Sequence, residues 1–307
     1  MRHVLLIGAG ALGMRYVEGF EARNDCLIFV HDILERDLSG FQNAMFIENL
    51  DCVSSTFLDL VIVATTAKGR AEILINILDN LIFSKILLEK PVEQSVEKLD
   101  LIVKNNSAGM CYVNLARRCS LLYFQLKNIL ETETVVKIVV TGKNFGIACN
   151  GLHFIDLAQY LTGQTPQGYA FFDQPLNWVK AKREGFYEAH GKIVIQFSGF
   201  DLEIVDEHIN NGVLISIQTL RGLIIVDEQN GLISGGAKIS INLGPRHIPY
   251  VSEYARDLVA VNDEPGFDLG GLPSLSEVYT AQKLHLDLLS KSWSEYFQSE
   301  SGLVPAT

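Results

Sequence analysis

The fold is decided by the stretch Val4-Leu5-Leu6-Ile7-Gly8-Ala9-Gly10-Ala11-Leu12-Gly13. Its leading apolar residues predict a short strand buried on both faces, and a helical pattern follows through about Ala22. The G-x-G-x-x-G spacing is typical of a dinucleotide-binding turn, whose glycines allow a tight turn, close approach of a pyrophosphate and close helix packing. The N–H groups and the positive end of the helix hold the diphosphate. We therefore predict cofactor contacts from Gly8, Gly10, Ala11, Leu12 and Gly13.

An acidic residue follows the next predicted strand. Leu27–Val30 is a second apolar run, and Asp32 lies 19 residues after Gly13, where a carboxylate accepts hydrogen bonds from an adenosine ribose. A carboxylate there repels a 2′-phosphate, so the pattern favours NAD over NADP as the cofactor. The alternative is a glycine turn that binds no dinucleotide, with Asp32 at a solvated strand end.

Further apolar runs alternate with helical patterns in the first part of the chain. Leu60–Ala64, Ile86–Leu88 and Met110–Val113 predict strands, and a helix is predicted over residues 95–105. Strands that alternate with helices form parallel βαβ units in an open, doubly wound sheet. We predict an α/β Rossmann domain over residues 1–117.

Residues 118–307 are predicted to form an α+β domain with a mainly antiparallel sheet, for substrate binding and oligomerisation. Turn signals at Asn210-Asn211-Gly212 and Arg221-Gly222 separate neighbouring β-rich runs. The predicted strands are Val135–Thr141, Ile193–Phe197, Leu202–Val205, Val213–Thr219 and Leu223–Val226. The predicted helices are Gly151–Leu161, Tyr250–Val261 and Ser274–Ser290.

Composition argues against several classes of partner. The 307 residues hold 25 Lys and Arg against 36 Asp and Glu, and the net charge of −11 disfavours nucleic acid and anionic membranes. No apolar run reaches the roughly 18 residues of a spanning helix, and the N-terminus lacks a signal-peptide cleavage site. Five widely spaced cysteines without a CxxC motif favour free thiols in a reducing cytoplasm. Neither cysteines nor histidines show metal-ligand spacing, so we expect no metal.

Glu89-Lys90-Pro91 directly follows a predicted strand. Open α/β sheets bind their ligands beyond the carboxyl ends of the strands, and the proline disfavours helical backbone at Lys90. An ammonium group there can polarise a hydroxyl or carbonyl oxygen beside a nicotinamide. The alternative is an ordinary strand exit at the surface.

Together these motifs resemble the Gfo/Idh/MocA oxidoreductases, the family of glucose–fructose oxidoreductase and inositol dehydrogenase. The resemblance runs through the glycine turn, Ala64-Thr65, Glu89-Lys90-Pro91, and Gly151-Leu152-His153-Phe154-Ile155-Asp156 at a helix. It implies a Rossmann domain followed by an α+β domain, with Lys90 and His153 as catalytic residues. It also implies cofactor contacts from Asp32, Thr65, Thr66, Glu89 and Lys90.

Two positions depart from the family pattern. Cys149 stands four residues before His153, where the family often has an aspartate, and a neutral thiol supplies no fixed charge there. Arg70 stands about where the family often has a histidine. The expected fold and cofactor do not depend on these positions, whereas the catalytic details do.

Several polar residues are candidates for substrate contact. His153 and Asp156 share a helix face, so Asp156 either serves the site or satisfies a buried helix start. Tyr112–Arg118 resembles the family's asparagine–arginine stretch, in which Arg117 and Arg118 either bind an anion or form a solvated pair. The candidates are Asn114, Arg117, Arg118, Cys149, Asn150 and Asp156.

The expected function is that of an NAD(H)-dependent oxidoreductase acting on a sugar, polyol or sugar derivative. Short family members with the patterns Asn-x-x-Arg-Arg and Cys-Asn-x-x-His resemble proteins of bacterial surface-sugar biosynthesis. The alternatives are a reductase of an imine or linear carbonyl, and a non-catalytic dinucleotide-binding sensor or partner subunit. A sheet face without a helix layer further predicts a homodimer or tetramer through residues about 190–245.

Overall fold

The computed structural model describes residues 1–106, 109–171, 176–207, 212–235, 239–245, 248–259, 271–298 and 303–306. The chain forms two compact units. The first comprises Met1–Glu93, Glu97–Asn114 and Pro249–Val278, and the second comprises Gln94–Val96, Leu115–Ile248 and Tyr279–Thr307.

These units differ from the continuous division at residue 117, because a late segment returns to the first unit. Within that unit the Val113 N–H donates to the Pro273 carbonyl at 2.9 Å. Gly19 lets the segment around Ala255 approach the first helix, since a Cβ there would lie 2.7 Å from the Ala255 Cβ. Such pairings join residues far apart in the chain, so local spacing did not reveal them.

The first unit is built on a six-stranded sheet in which every pair is parallel, as predicted. Its strands are β1 (Arg2–Ile7), β2 (Cys26–His31), β3 (Ala44–Phe46), β4 (Phe57–Val63), β5 (Ile82–Leu88) and β6 (Cys111–Val113). Its helices are α1 (Ala11–Glu21), α2 (Arg70–Asn80) and α3 (Val96–Asn105), whose first residue belongs to the second unit. The order β3-β2-β1-β4-β5-β6 reverses direction at β1, the point where doubly wound sheets bind ligands.

The second unit carries a nine-stranded sheet that is antiparallel except for one pair. The strands are β7 (Val135–Gly142), β8 (Pro166–Phe171), β9 (Asn177–Lys180), β10 (Tyr187–Phe197), β11 (Asp201–Asp206), β12 (Leu214–Thr219), β13 (Gly222–Asp227), β14 (Leu232–Gly235) and β15 (Ile239–Asn242). The parallel pair is β11 with β7. Helices α4 (Leu121–Leu130) and α5 (Ile147–Thr162) belong to this unit, and α5 packs against β7, β10 and β11.

The predicted second-unit elements are largely present, with shifted ends. Helix α5 begins at Ile147, earlier than the predicted Gly151, and its N-cap Gly146 has a positive φ of 80°. The prediction of one helix over Tyr250–Val261 was wrong: the described part is the short helix α6 (Val251–Tyr254) and a 3-10 turn (Ala255–Asp257). Helix α7 (Leu275–Phe297) extends beyond its predicted end.

Parts of two predicted elements, Asn210-Asn211 and residues 260–261, lie outside the described residues. Among the helices that the structure describes, none combines the length and hydropathy that a membrane crossing requires.

Candidate functional site

Close backbone contacts require glycine at the first and third glycine positions of the turn between β1 and α1. Gly8 has φ of 95°, and a Cβ there would lie 2.7 Å from the Thr65 backbone nitrogen. A Cβ on Gly13 would lie 2.0 Å from the Gly8 carbonyl oxygen. Both contacts are with backbone, so any larger residue at either position would displace the turn.

Gly10 differs from the other two glycines. Its φ of −70° suits any residue, and a Cβ there would meet no atom within 4 Å. Gly10 is also the N-cap of α1, where no side chain caps the helix and no acidic residue lies in the first turn. Ala11 and Leu12 are exposed at this helix start. An uncapped N-terminus with open space before it suits an anion.

Asp32 follows β2 beside the glycine turn. One carboxylate oxygen accepts the Ala9 N–H at 2.6 Å, and the other accepts the Leu34 N–H at 3.1 Å. The Arg36 guanidinium lies 3.7 Å from the same carboxylate. The next two side chains are apolar and point to solvent, since Ile33 is 95% and Leu34 62% exposed.

Arg70 connects the ends of β4 and β5. Its buried guanidinium donates to the carbonyl oxygens of Thr65, Glu89, Pro91 and Val92. Burial lowers the pKa of Arg70 to about 10, so it remains a cation at neutral pH. Arg70 therefore fixes the loop that carries Thr65 and Thr66 to the segment that carries Lys90, which accounts for an arginine at this position.

Glu89 and Asn114 are joined in a buried hydrogen-bond network within the first unit. The Tyr16 hydroxyl and the Asn114 amide each donate to Glu89 Oε1 at 2.6 Å. The Tyr254 hydroxyl donates to Asn114 Oδ1 at 2.6 Å. Burial, together with the Glu89 charge, raises the pKa of Tyr16, so its hydroxyl stays protonated as a donor. Glu89 and Asn114 are both at least nine-tenths buried in this network, which supports the backbone around Lys90. Their direct ligand contacts stay a prediction.

Lys90 lies beyond the network, directly after Glu89 and at the carboxyl end of β5. It is half-buried, and the Lys90–Pro91 peptide bond is cis. The predicted ligand-binding residues of the first unit thus all follow the carboxyl ends of its strands. The glycine turn follows β1, Asp32 follows β2, Thr65 follows β4 and Lys90 follows β5.

Two carboxylates hold the start of α5 in the second unit. Asp206, at the end of β11, accepts the N–H groups of Phe145 at 3.1 Å and Gly146 at 2.8 Å. Glu188 on β10 accepts the Cys149 N–H at 3.1 Å, and a Cβ on Gly146 would collide with its carboxyl group. Burial raises the pKa of Glu188, opposed by these backbone hydrogen bonds. No spacing signal in the sequence pointed to either acid.

His153 and Cys149 lie on α5, four residues apart and half-buried. The Glu188 carboxylate, from the neighbouring strand β10, contacts the backbone of Cys149. The side-chain amide of Asn150 donates to the Phe145 carbonyl before the start of α5. Its substrate contact stays a prediction.

The two arginines of the 117–118 pair each bind an internal carboxylate and do not form a solvated pair. Arg117 binds both carboxylate oxygens of Glu228, at 2.7 and 3.1 Å, and packs over the Phe154 ring. Arg118 binds both oxygens of Asp156, at 2.9 and 2.6 Å. Their side chains are only 14% and 7% exposed, and Asp156 is 1% exposed. Internal carboxylates pair with both guanidinium groups, which holds Arg117, Arg118 and Asp156 in place within the second unit. Their substrate contacts stay a prediction.

In the part of the chain that the structure describes, no group of three His, Cys, Asp or Glu side chains has the geometry of a metal site. All five cysteines are free thiols.

Many solved structures share the fold. A UDP-N-acetylglucosamine 3-dehydrogenase from Acidithiobacillus ferrooxidans aligns with a TM-score of 0.69 at 14% identity, over 94% of this chain and 96% of that one. A dehydrogenase from Clostridium difficile aligns with a TM-score of 0.68 at 14% identity, over 94% and 99%. A super-repressor mutant of Gal80p from Saccharomyces cerevisiae aligns with a TM-score of 0.69 at 14% identity, over 97% of each chain.

No protein-family model and no curated protein sequence matches the chain. At 14% identity the structural matches show the fold. They confirm the architecture that the resemblance to the Gfo/Idh/MocA oxidoreductases implied.

Proposed function

We propose that this protein is a Gfo/Idh/MocA-type oxidoreductase that uses NAD(H) and acts on a hydroxyl or carbonyl group of a sugar, polyol or sugar derivative. The observation that carries the proposal is Gly10. The fold itself tolerates a side chain at Gly10, because φ is ordinary and the space is empty. Gly8, in contrast, is required by close backbone contact with Thr65, and Gly13 by close contact with the Gly8 carbonyl. Because folding does not require glycine at position 10, its absence of a side chain is best explained by the close approach of a pyrophosphate to the backbone.

The residues around the turn fit the rest of a dinucleotide. The uncapped start of α1 offers N–H groups to the diphosphate, and Asp32 offers a carboxylate to the adenosine ribose. The exposed side chains of Ile33 and Leu34 supply apolar surface for the adenine ring. Thr65 and Thr66 follow the strand next to β1.

A bound nicotinamide would supply the hydride donor or acceptor for a carbon atom of the substrate. Lys90 stabilises the negative charge that develops on the substrate oxygen, and His153 exchanges the hydroxyl proton. Arg70 and the Glu89 network hold the backbone on each side of Lys90.

Free thiols at all five cysteines support a reducing, cytoplasmic location.

Removing the Asp32 carboxylate is expected to change cofactor preference. Wild-type protein should bind NADH more tightly than NADPH, and Asp32→Ala should weaken NADH about 10–100-fold, the range for a charged hydrogen bond. The same change releases the Arg36 guanidinium from its 3.7 Å ion pair, which should favour a 2′-phosphate. Calorimetric titration of both dinucleotides measures this, with the exposed Asp37→Ala as the matched control. A wild-type preference for NADPH would contradict the role of Asp32.

A second candidate function is that of a non-catalytic dinucleotide-binding regulator. It is favoured by the fold shared with Gal80p and by the thiol at Cys149. A reductase of imines or linear carbonyls is the rival within the enzyme class. Purified protein incubated with NAD⁺ or NADH and a panel of sugars, nucleotide sugars and imines distinguishes the three. Turnover of sugars supports the first proposal, turnover of imines alone supports the reductase, and dinucleotide binding without turnover supports the regulator.

We further propose that the protein is a homodimer or tetramer joined through residues 190–245. Leu223 and Ile225 on β13 are 45% and 38% exposed on the same sheet face. Light scattering at micromolar concentration should give a dimer or larger, and a Leu223→Glu/Ile225→Glu variant should give a monomer. Ile82→Glu, at an exposed apolar residue of the first unit, is the matched control. A monomeric wild-type protein would rule out this assembly.

A further inference from the structure

His190 on β10 forms a histidine–aspartate pair that the proposed mechanism does not use. Its Nδ1 atom lies 2.6 Å from Oδ2 of Asp206. The Asp206 side chain is fully buried, whereas the His190 side chain is 22% exposed. An ionised carboxylate accepts only, so the Asp206 contact places the proton of a neutral His190 on Nδ1.

The other ring nitrogen is then an acceptor. No described residue hydrogen-bonds to Nε2 of His190, and the ring is accessible to solvent. The buried Asp206 carboxylate fixes the tautomer of His190 and leaves Nε2 as an acceptor. His190 is therefore suited to accept a hydrogen bond from a ligand.

Asp206 also ties this pair to the helix that carries His153. The carboxylate that holds His190 accepts the N–H groups of Phe145 and Gly146, the two residues before α5. Glu188, two residues before His190 on the same strand, accepts the N–H of Cys149 in the first turn of α5. Strand β10 therefore presents His190 at the start of α5.

We propose that His190 is a substrate-binding residue whose Nε2 accepts a hydrogen bond from a substrate hydroxyl group other than the reacting one. This rests on the proposed function and names the residue that would bind a second hydroxyl group of its sugar or polyol substrate. Asp206 is a positioning residue, because it acts through His190.

The pH dependence of binding follows from the groups around the ring. Asp206 on β11 and Glu188 on β10 are the charged neighbours, and α5, which packs against β10, carries Cys149 and His153. The hydrogen bond to Asp206 raises the pKa of His190 above its ordinary value, opposed by partial burial. Protonated His190 cannot accept a hydrogen bond, so substrate affinity should fall as the pH drops through this raised pKa.

The test uses full-length protein with NAD⁺ and myo-inositol, D-glucose or UDP-N-acetylglucosamine, with His190→Gln, Asp206→Asn and the control His3→Gln. For a compound that is oxidised, His190→Gln should raise KM about tenfold, the worth of one hydrogen bond, and leave kcat nearly unchanged. The decrease in kcat/KM at acid pH that protonation of His190 causes should be absent in His190→Gln. Asp206→Asn should also raise KM, because an amide can donate to Nδ1 and move the ring proton to Nε2.

Several outcomes would overturn the proposal while leaving the proposed function intact. One is an active His190→Gln enzyme with wild-type KM and pH profile, and another is a lower melting temperature as the only effect. If none of the three compounds is oxidised, the proposed function fails for them and nitrogen NMR of the histidine rings decides. A shift of the His190 Nε2 signal on adding one of these compounds supports the proposal, and an unchanged signal rejects it.

Discussion

Replacing Lys90 or His153 by alanine should each lower turnover about 10²–10⁴-fold, the usual loss when an acid–base group is removed. Lys90 lies at the carboxyl end of β5, where its ammonium can neutralise charge on a substrate oxygen. His153 lies in the second turn of α5 and is half-buried. The affinity for NADH should change little, because the glycine turn and Asp32 hold the dinucleotide. Initial rates with an oxidised sugar and calorimetry with NADH measure the two effects separately.

The control variants are Lys104→Ala on α3 and His3→Gln on β1, which remove a lysine and a histidine that have no role in the proposed reaction. Both should retain wild-type turnover. An enzyme that remains fully active as His153→Ala would transfer the proton role to Lys90 and leave His153 as a residue of the helix start. A large loss of NADH affinity in Lys90→Ala would mean that Lys90 chiefly binds cofactor.

The variant Cys149→Asp tests whether a carboxylate at position 149, where the family often has an aspartate, changes the reaction. Because Glu188 already accepts the N–H of Cys149, a second carboxylate would face like charge, and the pH–rate profile should shift. Cys149→Ser should have a mild effect if the thiol only packs.

The first half of the fold could be predicted because its signals are local. An apolar run, a glycine turn and a helix pattern lie next to one another between Val4 and Ala22, and the structure has β1 and α1 there. The short strand β3 was missed, since its three residues are only partly buried at a sheet edge. The return of Pro249–Val278 to the first unit depends on contacts that span most of the chain.

The sequence indicates single candidate residues for the site but not the side chains with which they pair. Arg117 meets Glu228 across 111 residues of sequence, and Arg70 meets the carbonyl groups after β5 about 20 positions on. No spacing rule indicates such partners, so arginines that stabilise the fold resembled anion ligands. Glu188, His190 and Asp206 were missed for the same reason, because two strands and a helix start bring them together.

The largest effect on cofactor binding is expected from Gly10→Leu. The backbone at Gly10 already has a φ of −70°, and a Cβ would meet nothing within 4 Å, so the folded chain should accept the side chain. A leucine there fills the space before the α1 N-terminus that a diphosphate requires. We therefore expect NADH affinity to fall about 100-fold or more, equivalent to about 2.7 kcal/mol, with a nearly unchanged melting temperature. Gly13→Ala is the contrasting variant, because its Cβ would lie 2.0 Å from a backbone oxygen and should destabilise the turn itself.

The most direct measurement is therefore calorimetric titration of NADH into wild-type protein and Gly10→Leu, with thermal unfolding of both. A dinucleotide-dependent enzyme should bind NADH as wild type and lose that binding in a Gly10→Leu protein that still unfolds at the wild-type temperature. Wild-type protein that binds neither NADH nor NADPH, or a folded Gly10→Leu that binds NADH as tightly as wild type, would contradict the assignment of this turn to a dinucleotide.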